Sequence, residues 1–183
     1  GHGDFPVWVD SPLAVEATRV FLQCRRDCFD ETTQELLEKG VNPLMFPGLN
    51  ISVSSEESKK INDDKTPKVI LSSSGMCEGG RIRHHLKHNL WRPECTILFV
   101  GYQAVGTLGR TLLDGATTVK LFGEEISIRA NILKMEGISG HADQPILLDW
   151  LRSLPAKPKK VFMNHGDEES CETLAELAWK ELG

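Results

Sequence analysis

The stretch "KVILSSSGMCEGGRIRHHLKHNL", residues 68–90, decides how this chain is read. Val69, Ile70 and Leu71 form a short apolar run, the mark of a strand buried on both faces. The run empties into serines and glycines, and a helix is predicted over about 80–90. Pro93 then breaks the chain, and "CTILFVGY" (95–102) predicts another buried strand, followed by "GTLGRTLLDG", a short helix closed by Gly115. Upstream, "PVWVD" (6–10) is a third such strand. Ser11 can cap the helix after it, and Pro12 suits that helix's first position. Strand followed by helix, three times over, predicts a parallel sheet with right-handed crossovers.

Between these units the signals are local. The helical pattern of 13–39 breaks near Asp30 and stops at Gly40. Residues 42–68 are turn-rich. Within them "ISVSSEESKKIN" predicts a short strand and then a helix capped by Ser54 or Ser55, with an acid three residues on. From 116 the pattern changes: "TVKLFGEEISIRANILKMEG" alternates in stretches around "FGEE", which predicts a hairpin or meander. A helix "DQPILLDWLRSL", a strand "KVFMNHG" and a final helix "ESCETLAELAWKEL" follow. The expected boundary lies near 115, between two α/β pieces.

Composition narrows the function classes. The 183 residues can bury a core, and 40% hydrophobic with 26% charged residues is ordinary for a soluble globular protein. No apolar run approaches the roughly 18–20 residues that would span a bilayer, and no leader pattern is visible. The five cysteines are scattered without CxxC spacing, so they read as reduced thiols in a cytoplasmic protein rather than as a zinc ribbon or a disulfide framework. A net charge of −5 argues against gripping nucleic acid by bulk charge. It leaves room for a local basic site, and "RIRHHLKHNLWR" (81–92) carries Arg81, Arg83, Lys87 and Arg92 with no acid. His84 and His88 are i, i+4 but lack the intervening glutamate of HExxH, so packing or solvated histidines are the expectation there. Gly1-His2-Gly3 precedes the first strand-like residues, which makes His2 a poor ligand candidate.

Two stretches carry the sharper chemistry. "GISGHADQ" (137–144) and "VFMNHGDEE" (161–169) each let an apolar run give way to glycine with a histidine beside a carboxylate. Ligand sites gather at the carboxyl ends of parallel strands. Neutral imidazole suits Zn²⁺, and a neighbouring carboxylate can orient it. Against this, Asp143 and Asp167 stand where helix caps are routine. "SSSGMCEGGR" (72–81) and "GYQAVGTLGR" (101–110) are glycine-rich strand-to-helix turns that could admit phosphate at Ser74, Gly75 and Arg110. Neither has the P-loop or GxGxxG pattern, and tight backbone packing is the competing reading.

Five stretches, "VDSPLA", "SSSGMCEGGRIRHHLKHNL", "TILFVGYQAVGTLGRTLLDGA", "GISGHADQ" and "VFMNHGDEE", together resemble the β-CASP group of metallo-β-lactamase-fold RNA-processing nucleases. The closest likeness is to the prokaryotic branch similar to the pre-mRNA 3′-end endonuclease. The resemblance covers nearly the whole chain. It implies an α/β fold: a mostly parallel, Rossmann-like β-CASP sheet flanked by helices over 1–115, without its first strand–helix unit. A smaller piece over 116–183 (hairpin, strand, two helices) would belong to an incomplete metallo-β-lactamase fold.

Residue by residue, the resemblance implies that His141 stands at the scissile phosphate and protonates the leaving oxygen. It implies that His165 is a ligand to one of two zinc ions, with Ser74, Gly75, Arg110 and Ser139 near the substrate phosphate. The family's HxHxDH motif, its later His and bridging Asp, and its acidic motif are not found in this sequence. One histidine cannot hold a catalytic zinc that needs at least three protein ligands. The expectation is therefore the C-terminal portion of a zinc-dependent ribonuclease, inactive alone and binding zinc weakly if at all. Its expected partners are single-stranded RNA and an N-terminal metallo-β-lactamase portion, with no membrane; a homodimer is left open. Asn164, where an apolar residue is usual, and Asp167, where glutamate is common, are mild departures. Two other readings stand beside this one: a non-catalytic RNA-binding or scaffold relative, and a nucleotide-binding module using the turns at 75–80 and 106–109.

Overall fold

A computed structural model describes residues 5–137 and 139–183, apart from the side chain of Arg26; the Gly1-His2-Gly3 start and residue 138 lie outside the described residues. The chain divides into two compact units, one ending at Glu136 and one running over Gly137–Gly183. The first compact unit extends past the hairpin region, because a strand at 131–134 pairs back into it.

In the first unit, β1 (Val7–Asp10) is the middle strand of a parallel three-stranded sheet, between β2 (Leu49–Ile51) and β3 (Val69–Ser72). Val9 lies opposite Ile51 on one side and Leu71 on the other. α1 (Pro12–Gln23) starts as predicted: Ser11 Oγ accepts from the Ala14 N–H and Pro12 sits in the first turn. The break expected near Asp30 separates α2 (Arg25–Cys28) from α3 (Glu31–Glu38), because the Asp30 carboxylate caps α3 by accepting from the Thr33 N–H. Before α4 (Ser55–Asp63) the predicted capping box is complete: Ser54 accepts from Glu57 N–H, and the Glu57 carboxylate accepts from Ser54 N–H.

The other parallel pair is β4 (Thr96–Phe99) with β7 (Asn131–Lys134), so the predicted parallel strands form two sheets. β5 (Thr118–Leu121) and β6 (Glu124–Ser127) form the predicted hairpin. Its two turn residues, Phe122 and Gly123, both have positive φ (51° and 84°), as a two-residue type I′ loop requires. The core lies among α5 (Ile82–Asn89), β4, α6 (Leu108–Leu113) and this hairpin: Leu86, Leu90, Phe99, Leu112, Val119, Leu121 and Ile126 are buried together with Cys77.

The second unit holds α7 (Gln144–Arg152) and α8 (Glu168–Leu182), capped by Asp143 and Asp167. Leu148 and Leu151 are buried, and Arg152 bonds Asp149 and Glu181, tying the helices together. The strand predicted over 160–166 does not form: residues 160–164 have no regular secondary structure. A strand needs a neighbouring backbone to complete its hydrogen bonds. None pairs with this run among the described residues, and Phe162 is 83% exposed. No described helix is long and apolar enough to cross a membrane. All five cysteines are free thiols.

Candidate functional site

In the first unit the parallel strands aim their carboxyl ends at a set of polar groups that the sequence does not announce. Asp10 closes β1 and is fully buried. Its carboxylate accepts from Ser58 Oγ at 2.6 Å, Arg81 Nη1 at 2.6 Å and His85 Nε2 at 2.6 Å. Arg81 also donates to the carbonyls of Ser52 and Val53. Burial pushes the Asp10 pKa up, but the bonds from Ser58, His85, Arg81 and Ser52 outweigh it and hold the carboxyl below its usual range. Burial likewise lowers the pKa of His85, against the pull of Asp10. The ring's Nδ1 lies 2.9 Å from Asn62 Oδ1, and the Asn62 Nδ2 donates to the Ser58 carbonyl. So one carboxylate joins β1, α4 and α5. His85 was predicted only as a packing or solvated histidine; what could have singled it out is its i, i+4 placement with Arg81 on one face of a helix.

Above this lock lie the two glycine turns. Ser11 Oγ meets Ser73 Oγ at 2.8 Å, and Ser72 Oγ donates to the Asp10 carbonyl. Thus "VDSPLA" and "SSSG", far apart in sequence, meet at the strand ends. Ser74 Oγ accepts from Gly79 N–H at 3.4 Å. Gly80 has φ +75°, and a β-carbon there would come 2.4 Å from the Ser73 carbonyl oxygen, so the turn closes only around glycine. The 101–109 loop is knitted to this turn: the Gln103 side chain donates to the Gly75 carbonyl at 2.9 Å, and Gly109 N–H donates to the Met76 carbonyl at 3.1 Å. Ser74, Gly75 and the helix bearing Arg110 are therefore brought together. The Arg110 guanidinium itself pairs with Asp114 one helical turn on, at 2.8 Å.

In the second unit, Ser139 and His141 lie on the exposed turn before α7, where the His141 N–H donates to Ser139 Oγ at 3.1 Å. Asp143 caps α7 by accepting from Ile146 N–H. His165 is exposed and has φ +73°, a left-handed backbone that histidine adopts more readily than most residues and that costs about 1–3 kcal/mol. It lines an open cleft of about 360 Å³ with Leu147, Trp150, Asn164 and Cys171; His141 is not among the lining residues. Among the described residues no three His, Cys, Asp or Glu side chains are placed to hold a metal ion. The donor set present does not by itself fit a zinc ion: His165 offers one imidazole where at least three protein ligands are needed.

Residues 1–112 match the Beta-Casp domain, and residues 125–183 match the Zn-dependent metallo-hydrolase RNA specificity domain. The chain is 40% identical over 172 residues to Ribonuclease TTHA0252 of Thermus thermophilus, a match covering 94% of this chain and 39% of that protein. It is 31% identical over 184 residues to Transcription termination factor FttA of Methanosarcina mazei, covering 98% and 29%. The FttA of Methanocaldococcus jannaschii is 34% identical over 171 residues, covering 91% and 27%. The chain thus spans less than half the length of these relatives. It belongs to the β-CASP family of metallo-β-lactamase-fold nucleases.

Proposed function

We propose that this chain is the C-terminal portion of a zinc-dependent ribonuclease that hydrolyses RNA phosphodiester bonds, inactive when alone. The observation that carries the reading is the pair of histidine turns: two imidazoles held exposed on glycine-flanked turns, in a unit whose own donors fall short of a metal site. In this reading residues 1–115 are the β-CASP part and residues 116–183 complete a metallo-β-lactamase fold with residues supplied from elsewhere in the protein. His141 donates a proton to the leaving oxygen of the cleaved phosphodiester; general acid catalysis of this kind contributes about 10²–10⁴-fold. Ser139, whose hydroxyl fixes the turn through the His141 N–H, orients it. His165 is this chain's ligand to one of the two zinc ions. Ser74, Gly75 and Arg110 lie toward the substrate phosphate, and the protein acts in the cytoplasm.

The test is cleavage of a labelled single-stranded RNA by the protein that includes the N-terminal metallo-β-lactamase portion. His141→Ala is expected to lose about 10²–10⁴-fold in rate with RNA affinity retained. Wild-type rates in His141→Ala would remove His141 from the chemistry. No cleavage by the wild type, with an intact HxHxDH motif in its N-terminal portion, would favour a non-catalytic RNA-binding relative.

A further inference from the structure

The basic stretch 81–92, which holds α5, is not used by the reaction proposed above, and its charges are not equally free. Arg81 is bound to Asp10, Lys87 to Glu124 and Arg92 to Glu94. Arg83 has no carboxylate partner among the described residues: one guanidinium nitrogen donates to the Glu78 carbonyl, and its Nε is buried with no hydrogen-bond partner. The guanidinium lies over the Phe122 ring, 5.5 Å from its centre, and the His84 ring stacks on Phe122 at 4.5 Å with 24° between planes. Phe122 is 49% exposed, and His84 is exposed too. Gly79 and Gly80 complete an open hollow of about 570 Å³ with these side chains, within the ~300–1,000 Å³ usual for small-ligand sites.

Phe122 holds this position at a cost. It occupies the first position of a type I′ turn at φ +51°, where asparagine, aspartate or glycine is preferred. A bulky residue there is a genuine outlier, and such strain gathers at functional sites. What the position gains is a ring placed against α5, beside an unpaired cation.

We infer that Arg83, His84 and Phe122 form a binding subsite for single-stranded RNA, with a base extending the His84–Phe122 stack and an adjoining phosphate on Arg83. The inference rests on the reading of RNA as substrate and adds a contact that does no chemistry. An aromatic shelf beside a cation is the usual platform for unpaired bases, which stack without sequence preference. Charge decides for nucleic acid over an acidic protein surface only together with the rings: the cation alone would serve either, while an edge-open two-ring stack suits a flat base.

The experiment measures binding of fluorescently labelled U12 and A12 RNA to the 183-residue chain, without metal, so that it does not depend on cleavage. Phe122→Asn removes the ring while relieving the turn, so the variant is expected to keep or raise its Tm and to lose about tenfold or more in affinity. Arg83→Gln is expected to weaken binding and flatten its salt dependence. Phe122→Trp should restore affinity. 5-Iodouridine crosslinking should map to Phe122 or His84. Unchanged affinity in both Phe122→Asn and Arg83→Gln overturns the inference and leaves the patch to protein contacts. No RNA binding by the wild-type chain overturns it as well, while cleavage by the longer protein, with its dependence on His141, is decided separately.

Discussion

The two compact units hold their functional-looking residues in opposite ways. In the first, each motif is fastened: Asp10 is sealed among Ser58, Arg81 and His85, and the two glycine turns are bonded to each other. In the second, His141 and His165 sit on exposed turns whose bonds are local. The difference teaches that motifs of similar residue types can be held in different ways, one sealed by long-range bonds and the other exposed on a local turn.

The largest expected effect separates the units by function. His141→Ala, in the protein that includes the N-terminal portion, should cost about 10²–10⁴-fold in cleavage. It should leave the thermal unfolding of the 183-residue chain within about 0.5 kcal/mol of wild type, as expected for an exposed residue. A large stability loss would mean that the histidine turn is structural after all.

Asp10→Asn should do the reverse. It removes the charge that answers Arg81, and breaking a buried pair from one side costs about 3–5 kcal/mol. Urea unfolding followed by a first-unit probe would show it. If the loss were below about 1 kcal/mol, the lock described here would not be what fastens the first unit.

A pH series sharpens this. His85 has a lowered pKa when folded, so the unfolded chain binds its proton first as pH falls below about 6.5, and stability declines from there. Asp10 also has a lowered folded pKa, so its contribution persists above the unfolded carboxyl value of about 3.9 and is lost as pH falls through the folded one. His85→Gln should remove the decline below 6.5 and leave the acid limb. An unchanged profile would show that the ring does not titrate between the folded and unfolded states.

Much of this was legible in the sequence because it was local. Ser11-Pro12, Asp30, Ser54 with Glu57, and the "FGEE" turn each carry their own stop or start signal, and each stands where predicted. The Asp10–Arg81–His85 lock was not legible, since it joins residues 71 and 75 positions apart whose types are equally at home on a surface. The strand expected at 160–166 failed for the converse reason. "KVFMN" has the apolar pattern of a strand, but a strand is a property of two segments, and no described segment pairs with this one. The Arg110–Asp114 pair, by contrast, has the i, i+4 spacing of helix neighbours and was legible in the sequence.

The smallest expected effect tests a cap rather than a site. Ser54→Ala removes one half of the capping box and should cost about 1 kcal/mol, seen as a modest drop in Tm. No change would mean that α4 is held by the Ser58–Asp10 bond alone.

The most direct test of the account is RNA cleavage by the purified 183-residue chain, supplied with excess Zn²⁺ and single-stranded RNA. A chain that contributes one proton donor and one zinc ligand to a larger catalyst should give no turnover above the metal-only control. Sustained, zinc-dependent cleavage that disappears on His165→Ala would show the site to be complete within these residues, and would contradict the account.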